Sequence, residues 1–377
     1  MIIPVQRVGQ IGLVTDLPHD EIPLNAWTDG KNVRFRGGAV EKFSGHASVF
    51  GTPLVQPKWL FHTGVTGTPL WLYASDTNVA ATDGAIHAEV TRASGVYTKL
   101  PKIPWTGGEI EGIPLINNGF DIPQMWNKPA LSTLLADMTN WPANMRAMTL
   151  RTFKRHVLGF DITLDGVRYP TMIRWSDQAP TGAVPLSWDI TDETIDAGEW
   201  ILPDKGGFIV DFVPLRDVGI IYRENELWQM QYSPDTAIFR FTRLFENIGV
   251  LTRDCAKEFF SGKHVIFTGD DIVLMEGVSA KSILDERHKK AINIDLANYD
   301  KSFVAVDYAN KEVLTCFPEP GREYASKAVV WNWVTDTFGV RELPDAASIE
   351  PGIVLGGAVS DTWDAAVGVW DTDNVAW

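Results

Sequence analysis

The sequence predicts an all-β protein, a β-propeller built of antiparallel hairpins with one short helix near 280–296. Three observations predict it. Short apolar runs alternate with turn residues along the chain. Aromatic residues abound, with 15 Trp, 18 Phe and 8 Tyr, and such side chains suit half-buried pleated strands. Helical periodicity is scarce. A sandwich would also show regular hairpins, but so many in one chain need an arrangement that hides sheet edges, and a propeller does that.

The hairpins follow one another in order. Pro69 to Val90 reads as the first. Val157–Ile162 and Val167–Trp175 flank Thr163-Leu164-Asp165-Gly166, where Asp-Gly tolerates the positive φ of a tight turn. Val218–Tyr232 turns at Glu224-Asn225, and Val265–Met275 turns near Gly269-Asp270. Phe303–Phe317 turns at Asn310-Lys311, and Ala328–Leu343 near Asp336. Spacings of roughly 25 to 60 residues bracket the four-strand period of a blade. The units share no WD40 or kelch signature. The expected helix is Ala280–Leu296, with Ser279 as its cap and Ile283, Leu284, Ala291, Ile292 and Ile294 as a rough apolar face. Leu131–Met138 is a second, shorter possibility, interrupted after it by Pro142. No flexible linker marks an internal boundary, so residues 1–377 are expected to form one propeller body, with strands in 1–50 closing or decorating it. The apolar stretch Ala365–Trp377 either closes the fold or continues into a longer chain.

Composition narrows the functions. Hydrophobic residues make up 45% and charged residues 21% of 377, enough for a large core. The formal net charge is −15, which disfavours tight binding to phosphate backbones and otherwise favours solubility. Cys255 and Cys316 are too few for a disulfide framework or a zinc site and read as buried, reduced residues of a cytosolic product. The first residues show no signal-peptide pattern, and no apolar run of transmembrane length occurs.

Chemical motifs are absent or explained by turns. There is no phosphate-binding glycine loop; Ser261-Gly262-Lys263-His264 lacks the leading glycine and the hydroxyl after lysine. The seven histidines form no metal-binding spacing, and Asp371 and Asp373 lack the rest of a calcium loop. G-x-S-x-G is missing. Asp270-Asp271 and Asp189–Glu193 are the densest carboxylates that could serve glycoside hydrolysis, but turns favour Asp at such positions. Ser360-Asp361-Thr362-Trp363 is a partial echo of a sialidase box. No catalytic residue, metal or cofactor is therefore assigned, and the chain reads as a non-enzyme. One basic cluster stands out: Lys31, Arg34, Arg36 and Lys42. Arg34 and Arg36 share one strand face, either to contact DNA or a neighbouring subunit, or simply to be solvated.

Three segments resemble the tail nozzle proteins of short-tailed phages, the packaged-DNA stabilisation proteins. The first is Leu24–Gly45, with Asn32-Val33-Arg34, Gly37-Gly38, Glu41-Lys42 and Ser44-Gly45. The second runs from Ile173-Arg174-Trp175-Ser176-Asp177 through Pro185 and Trp188-Asp189 to Ala197-Gly198. The third is Val218–Gly249 followed by FTGDDIVLMEGVSAKSI. The resemblance implies a structural virion protein in the phage tail, assembled in the host cytoplasm. It implies a hexameric ring below the head-tail adaptor protein, meeting tail fibre, spike or plug proteins. Double-stranded DNA would pass through the lumen without specific binding, and no membrane insertion is implied. Two other readings compete: a glycan-binding or glycan-cleaving propeller, which 15 Trp would favour, and a cellular propeller scaffold that binds proteins on one face.

Overall fold

The computed structural model describes residues 7–64, 67–102, 105–233, 237–260, 262–285 and 287–354. Ser261, the Ser360–Trp363 echo, Asp371, Asp373 and the Ala365–Trp377 stretch lie outside the described residues.

Two short strands, β1 (Gly12–Leu13) and β2 (Ala26–Trp27), and a hairpin of β3 (Val33–Arg36) and β4 (Ala39–Lys42) come first. Six sheets resembling propeller blades follow. Sheet I holds β5 (Trp59–Thr63), β6 (Leu70–Ala74), β7 (Val79–Thr82) and β8 (His87–Glu89). Sheet II holds β9 (Thr106–Ile110), β10 (Ile113–Asn117), β11 (Gln124–Met125) and β12 (Ala136–Asp137). Sheet III holds β13 (Met145–Phe153), β14 (His156–Leu164), β15 (Val167–Trp175) and β16 (Gly198–Ile201). Sheet IV holds β17 (Ile209–Leu215), β18 (Val218–Arg223), β19 (Glu226–Tyr232) and β20 (Phe239–Glu246). Sheet V holds β21 (Ala256–Phe260), β22 (Lys263–Phe267), β23 (Ile272–Glu276) and β24 (Ser279–Ser282). Sheet VI holds β25 (Phe303–Asp307), β26 (Glu312–Phe317), β27 (Ala325–Asn332) and β28 (Thr337–Ala346). Strands β1 and β2 extend its outer edge, and β1 runs parallel to β28.

Each of sheets I to V is an antiparallel meander, the outcome of apolar alternation broken by turn residues. The turns form where the sequence placed them. Asp165 and Gly166 between β14 and β15 have φ of 50° and 81°, and Lys311 and Asp336 also turn at positive φ. Apolar layers fill the space between neighbouring sheets. Leu72, Val79, Ile116 and Trp126 join sheets I and II. Phe160, Ile173, Phe212 and Ile221 join III and IV. Tyr222, Val265, Phe267, Val304 and Phe317 run from IV through V to VI.

The structure corrects the expected fold in two respects. The sheets resemble propeller blades, yet hydrogen-bonded pairing stays within each sheet and no closed barrel forms. The helix expected at 280–296 is absent. Ala280–Ser282 instead belong to β24, paired with β23 from Val273↔Ser282 to Glu276↔Ser279. Ile283 and Leu284 are both buried in the core between sheets, and Asp285, Arg287 and His288 lie in turns before one short 3-10 segment at Lys289–Ala291. Sheet pairing outweighed a weak helical stripe. The shorter helix expected at Leu131–Met138 is also absent. There the Leu135 N–H bonds to Val90 and the Met138 N–H to Pro123, so the backbone donors are used by neighbouring segments.

Candidate functional site

The first strands of all six sheets face one central cavity of about 430 Å³. Polar groups stitch these strands to one another. Thr63 donates to Glu109 at 3.0 Å, the Leu150 N–H donates to Thr106 at 3.1 Å, and Thr149 donates to the Val210 carbonyl at 3.1 Å. The Asp254 N–H donates to Asp211 Oδ2 at 2.8 Å, and the Val304 N–H to the Asp254 carbonyl at 2.8 Å. Between sheets VI and I the links are side chains and an irregular segment. Lys58 and Tyr324 both line the cavity, and Trp71 Nε1 donates to the Ile353 carbonyl at 3.0 Å.

A charged cluster lies at the centre. Arg151 grips Asp211 with both arms, Nε to Oδ1 at 2.9 Å and Nη2 to Oδ2 at 3.1 Å, and reaches Asp254 at 3.1 Å. This fork geometry is what guanidinium offers a carboxylate. Burial opposes the Arg151 charge, but the two carboxylates outweigh it and its proton is held more tightly than usual. Burial likewise opposes the Asp211 charge, yet Arg151 and the N–H groups of Asp254 and Phe212 keep its pKa below the ordinary value. Lys257 stands 3.8 Å from Asp254 and 3.7 Å from Glu350. Burial opposes the Lys257 charge, but Asp254 and Glu350 raise its pKa. Burial raises the pKa of Glu350.

Arg253 differs from its neighbours. Its Nε donates to Thr149 at 2.6 Å, and among the described residues it forms no ion pair. Burial, with Arg151 as a like charge, lowers its pKa, against the pull of Asp211, Asp161 and Asp254. Seven Lys and Arg residues line the cavity against six Asp and Glu residues, in a chain whose overall charge is −15. Trp59 and Phe61 of β5 add a stacked aromatic pair, with centroids 5.7 Å apart.

No family model matches the chain, and no curated protein does. Solved structures resemble it at low similarity. The WD40 propeller domain of Doa1 is 11% identical with a TM-score of 0.43, over 73% of this chain and 79% of that one. The AfRom2 CNH domain is 9% identical with a TM-score of 0.44, over 78% and 88%. AztD of Citrobacter koseri is 12% identical with a TM-score of 0.40, over 83% and 77%. Likeness this remote transfers no function.

The expected membership of the tail nozzle family is corrected by these findings: no family model supports it, and the structures that resemble the chain are propeller proteins of other kinds. The physical reason lies in what the matching residues do. Gly37 and Gly38 turn the β3–β4 hairpin at φ of 58° and 86°. A side chain at Gly198 would meet the Trp175 ring at 2.5 Å. These are requirements of hairpins in general, so their order carried no family information. The nozzle function and the viral structural role fall with that resemblance.

The residues singled out in the sequence lie away from the central cavity. Lys31 pairs with Glu342 at 3.1 Å on the surface. Arg34 and Arg36 do share one face, and both donate to Asn310 Oδ1 at 2.7 Å; Arg34 also lies 3.5 Å from the buried Glu312. Lys42 is exposed at the end of β4. These contacts fasten the β3–β4 hairpin to sheet VI. Asp271 accepts from the Ile272 N–H and Ser282 and pairs with Lys289, while Asp189 and Asp192 close small turns with Thr191 and Thr194. Cys255 and Cys316 are free and buried. The central residues Arg151, Asp211, Arg253 and Asp254 were not singled out. One signal for them was present: Asp211 interrupts the apolar strand Ile209–Leu215, and a charge within such a run demands a buried partner.

Proposed function

We propose that the chain is a carbohydrate-binding protein whose central cavity takes a sugar bearing an acidic group. The observation that carries this reading is the electrostatic inversion of the cavity, a cationic excess within an acidic protein, with Arg253 and Lys102 lining it without an ion pair among the described residues. Aromatic faces such as the Trp59–Phe61 pair suit the apolar face of a sugar ring. Arg is the side chain suited to bidentate recognition of a carboxylate.

The test is calorimetric titration with oligosaccharides containing uronic acids, against neutral oligosaccharides of equal length. The expected result is selective binding of the acidic series, weakened about tenfold or more in Arg253→Gln by loss of a charge-assisted hydrogen bond. Equal binding of both series, or an unaltered affinity in the variant, overturns the reading. A hydrolytic version has one observation in its favour. Glu350, whose pKa burial raises, shares Lys257 with Asp254, and glycoside hydrolysis needs an acid and a carboxylate together. Release of new reducing ends, abolished in Glu350→Gln, would select it.

A further inference from the structure

A second cavity, which shares no lining residue with the first, lies between the N-terminal segment and the outer part of sheet VI. Its volume is about 260 Å³. Leu13 and Thr15 line one side, Lys327 of β27 and Val340 of β28 another, and His288 with Lys290 a third. His288 is only 3% exposed. Its Nδ1 lies 3.0 Å from the Thr15 hydroxyl, while its Nε2 is buried without any hydrogen-bond partner. An orphaned buried nitrogen is costly, and in native proteins it calls for an explanation.

The surroundings supply one. Three lysines line the cavity, Lys31, Lys290 and Lys327, against one carboxylate, Asp29. Lys31 is engaged with Glu342 and Lys327 with Glu319. Lys290 Nζ donates only to the Asp16 carbonyl, at 2.9 Å, and is exposed. Asp16 itself accepts from the N–H groups of Lys289 and Lys290 and from the Thr15 hydroxyl, which ties it into the turn beside the histidine. The excess of cations, an orphaned imidazole nitrogen and a cavity open to solvent belong together if an oxyanion enters.

We propose that this cavity binds a phosphate or sulfate group, which accepts a hydrogen bond from His288 Nε2 and lies against Lys327 and Lys290. The Thr15 hydroxyl completes the arrangement. It accepts a hydrogen bond from the Nδ1–H of a charged imidazole and donates its own to Asp16, so both ring nitrogens have partners when the anion is present. The site would tie the N-terminal segment to sheet VI, and it is independent of the carbohydrate reading of the central cavity.

The experiment is an NMR titration of the His288 ring in the full chain, with sodium sulfate, inorganic phosphate and a sugar phosphate, against sodium chloride at matched ionic strength. His288→Gln assigns the ring signals. Saturable shifts with an oxyanion and not with chloride are expected, together with a His288 pKa that rises on sulfate binding. Lys327→Gln is expected to weaken binding about tenfold, as loss of one charge-assisted partner does. Lys290→Gln, at an exposed position, serves if the first variant fails to fold. Tighter binding of the sugar phosphate than of free phosphate would assign the group to a larger ligand, and equal binding to the free ion. A ring that responds equally to chloride, or an affinity unaltered in both lysine variants, overturns the proposal.

Discussion

His264 shows at the scale of one residue how burial fixes a protonation state. It lies in β22, fully buried, between two partners of opposite kind. Its Nε2 lies 2.8 Å from the Pro214 carbonyl, which can only accept, so that nitrogen carries the proton. Its Nδ1 must then accept from the Tyr222 hydroxyl, 2.5 Å away. A second proton would strip Tyr222 of its acceptor. Burial, against the help of the Pro214 carbonyl, brings the His264 pKa down to about 4. The unfolded chain binds that proton near pH 6.5, so the folded state binds fewer protons between the two values. Stability from this group is therefore complete above pH 6.5 and is lost as pH falls toward 4, by about 3 kcal/mol in all. His288, brought down to about 4 by burial with Lys327 assisting and Asp16 opposing, adds a parallel loss over the same window. Urea midpoints measured from pH 7.5 to 4 should fall steadily in the parent protein. In His264→Gln, which keeps a donor and an acceptor but cannot titrate, the slope should become measurably shallower. An unaltered slope would mean that the ring is not buried in its neutral form.

Strands β1 and β2 illustrate the scale of the element. They are two residues each, too short to be read from alternation, and they are held by what lies around them. Leu13 is 1% exposed and packs with Phe35 and Val340 in a small cluster. The Thr15 N–H donates to the Arg287 carbonyl at 2.7 Å. Gly12, at φ 84°, lets β1 lie against β28, where a side chain would meet the Phe338 backbone at 2.9 Å. Leu13→Ala is expected to cost about 2–5 kcal/mol. It should also expose residues 7–30 to protease before global unfolding, because local segments open at their own free energy. Cleavage first elsewhere would place the weak point in another element.

Legibility in the sequence followed the same division. The six hairpins from Pro69 to Leu343 were readable because turn residues and alternation are local properties. The β24 strand was not, because Ala280–Leu296 reads as a helix until β23 supplies a partner to Ser279–Ser282. The charged centre was half legible. Asp211 interrupts its apolar strand, a signal the sequence reading passed over, and its partner Arg151 is 60 residues away, so no local pattern joins them. The basic residues Arg34 and Arg36 drew attention by their alternation, which reports a shared face and not what that face meets.

For the molecule as a whole, the question is how sheets distant in sequence are held about one centre. Sheets II to VI each follow their predecessor through an apolar layer. Sheets VI and I are joined instead by a segment that leaves β28 and crosses the cavity. Along it Glu350 faces Lys257, and Ile353 exchanges bonds with sheet I, accepting from Trp71 at 3.0 Å and donating to His62 Nε2 at 3.3 Å. Gly352 permits this approach, since a Cβ there would lie 2.4 Å from the Trp71 ring and 2.7 Å from His62. Both rings are aromatic and packed together, with centroids 4.8 Å apart, so neither can yield without disturbing the other. Gly352→Ala should therefore lift the segment off sheet I. The expected result is a lower melting temperature and new proteolysis between residues 346 and 354, with sheet I losing protection from hydrogen exchange earlier than sheets III and IV. Gly45→Ala is the control, since a side chain there meets nothing within 4 Å. If Gly352→Ala melts like Gly45→Ala and its sheets exchange together, the crossing segment is ornamental and sheets VI and I hold each other by other means.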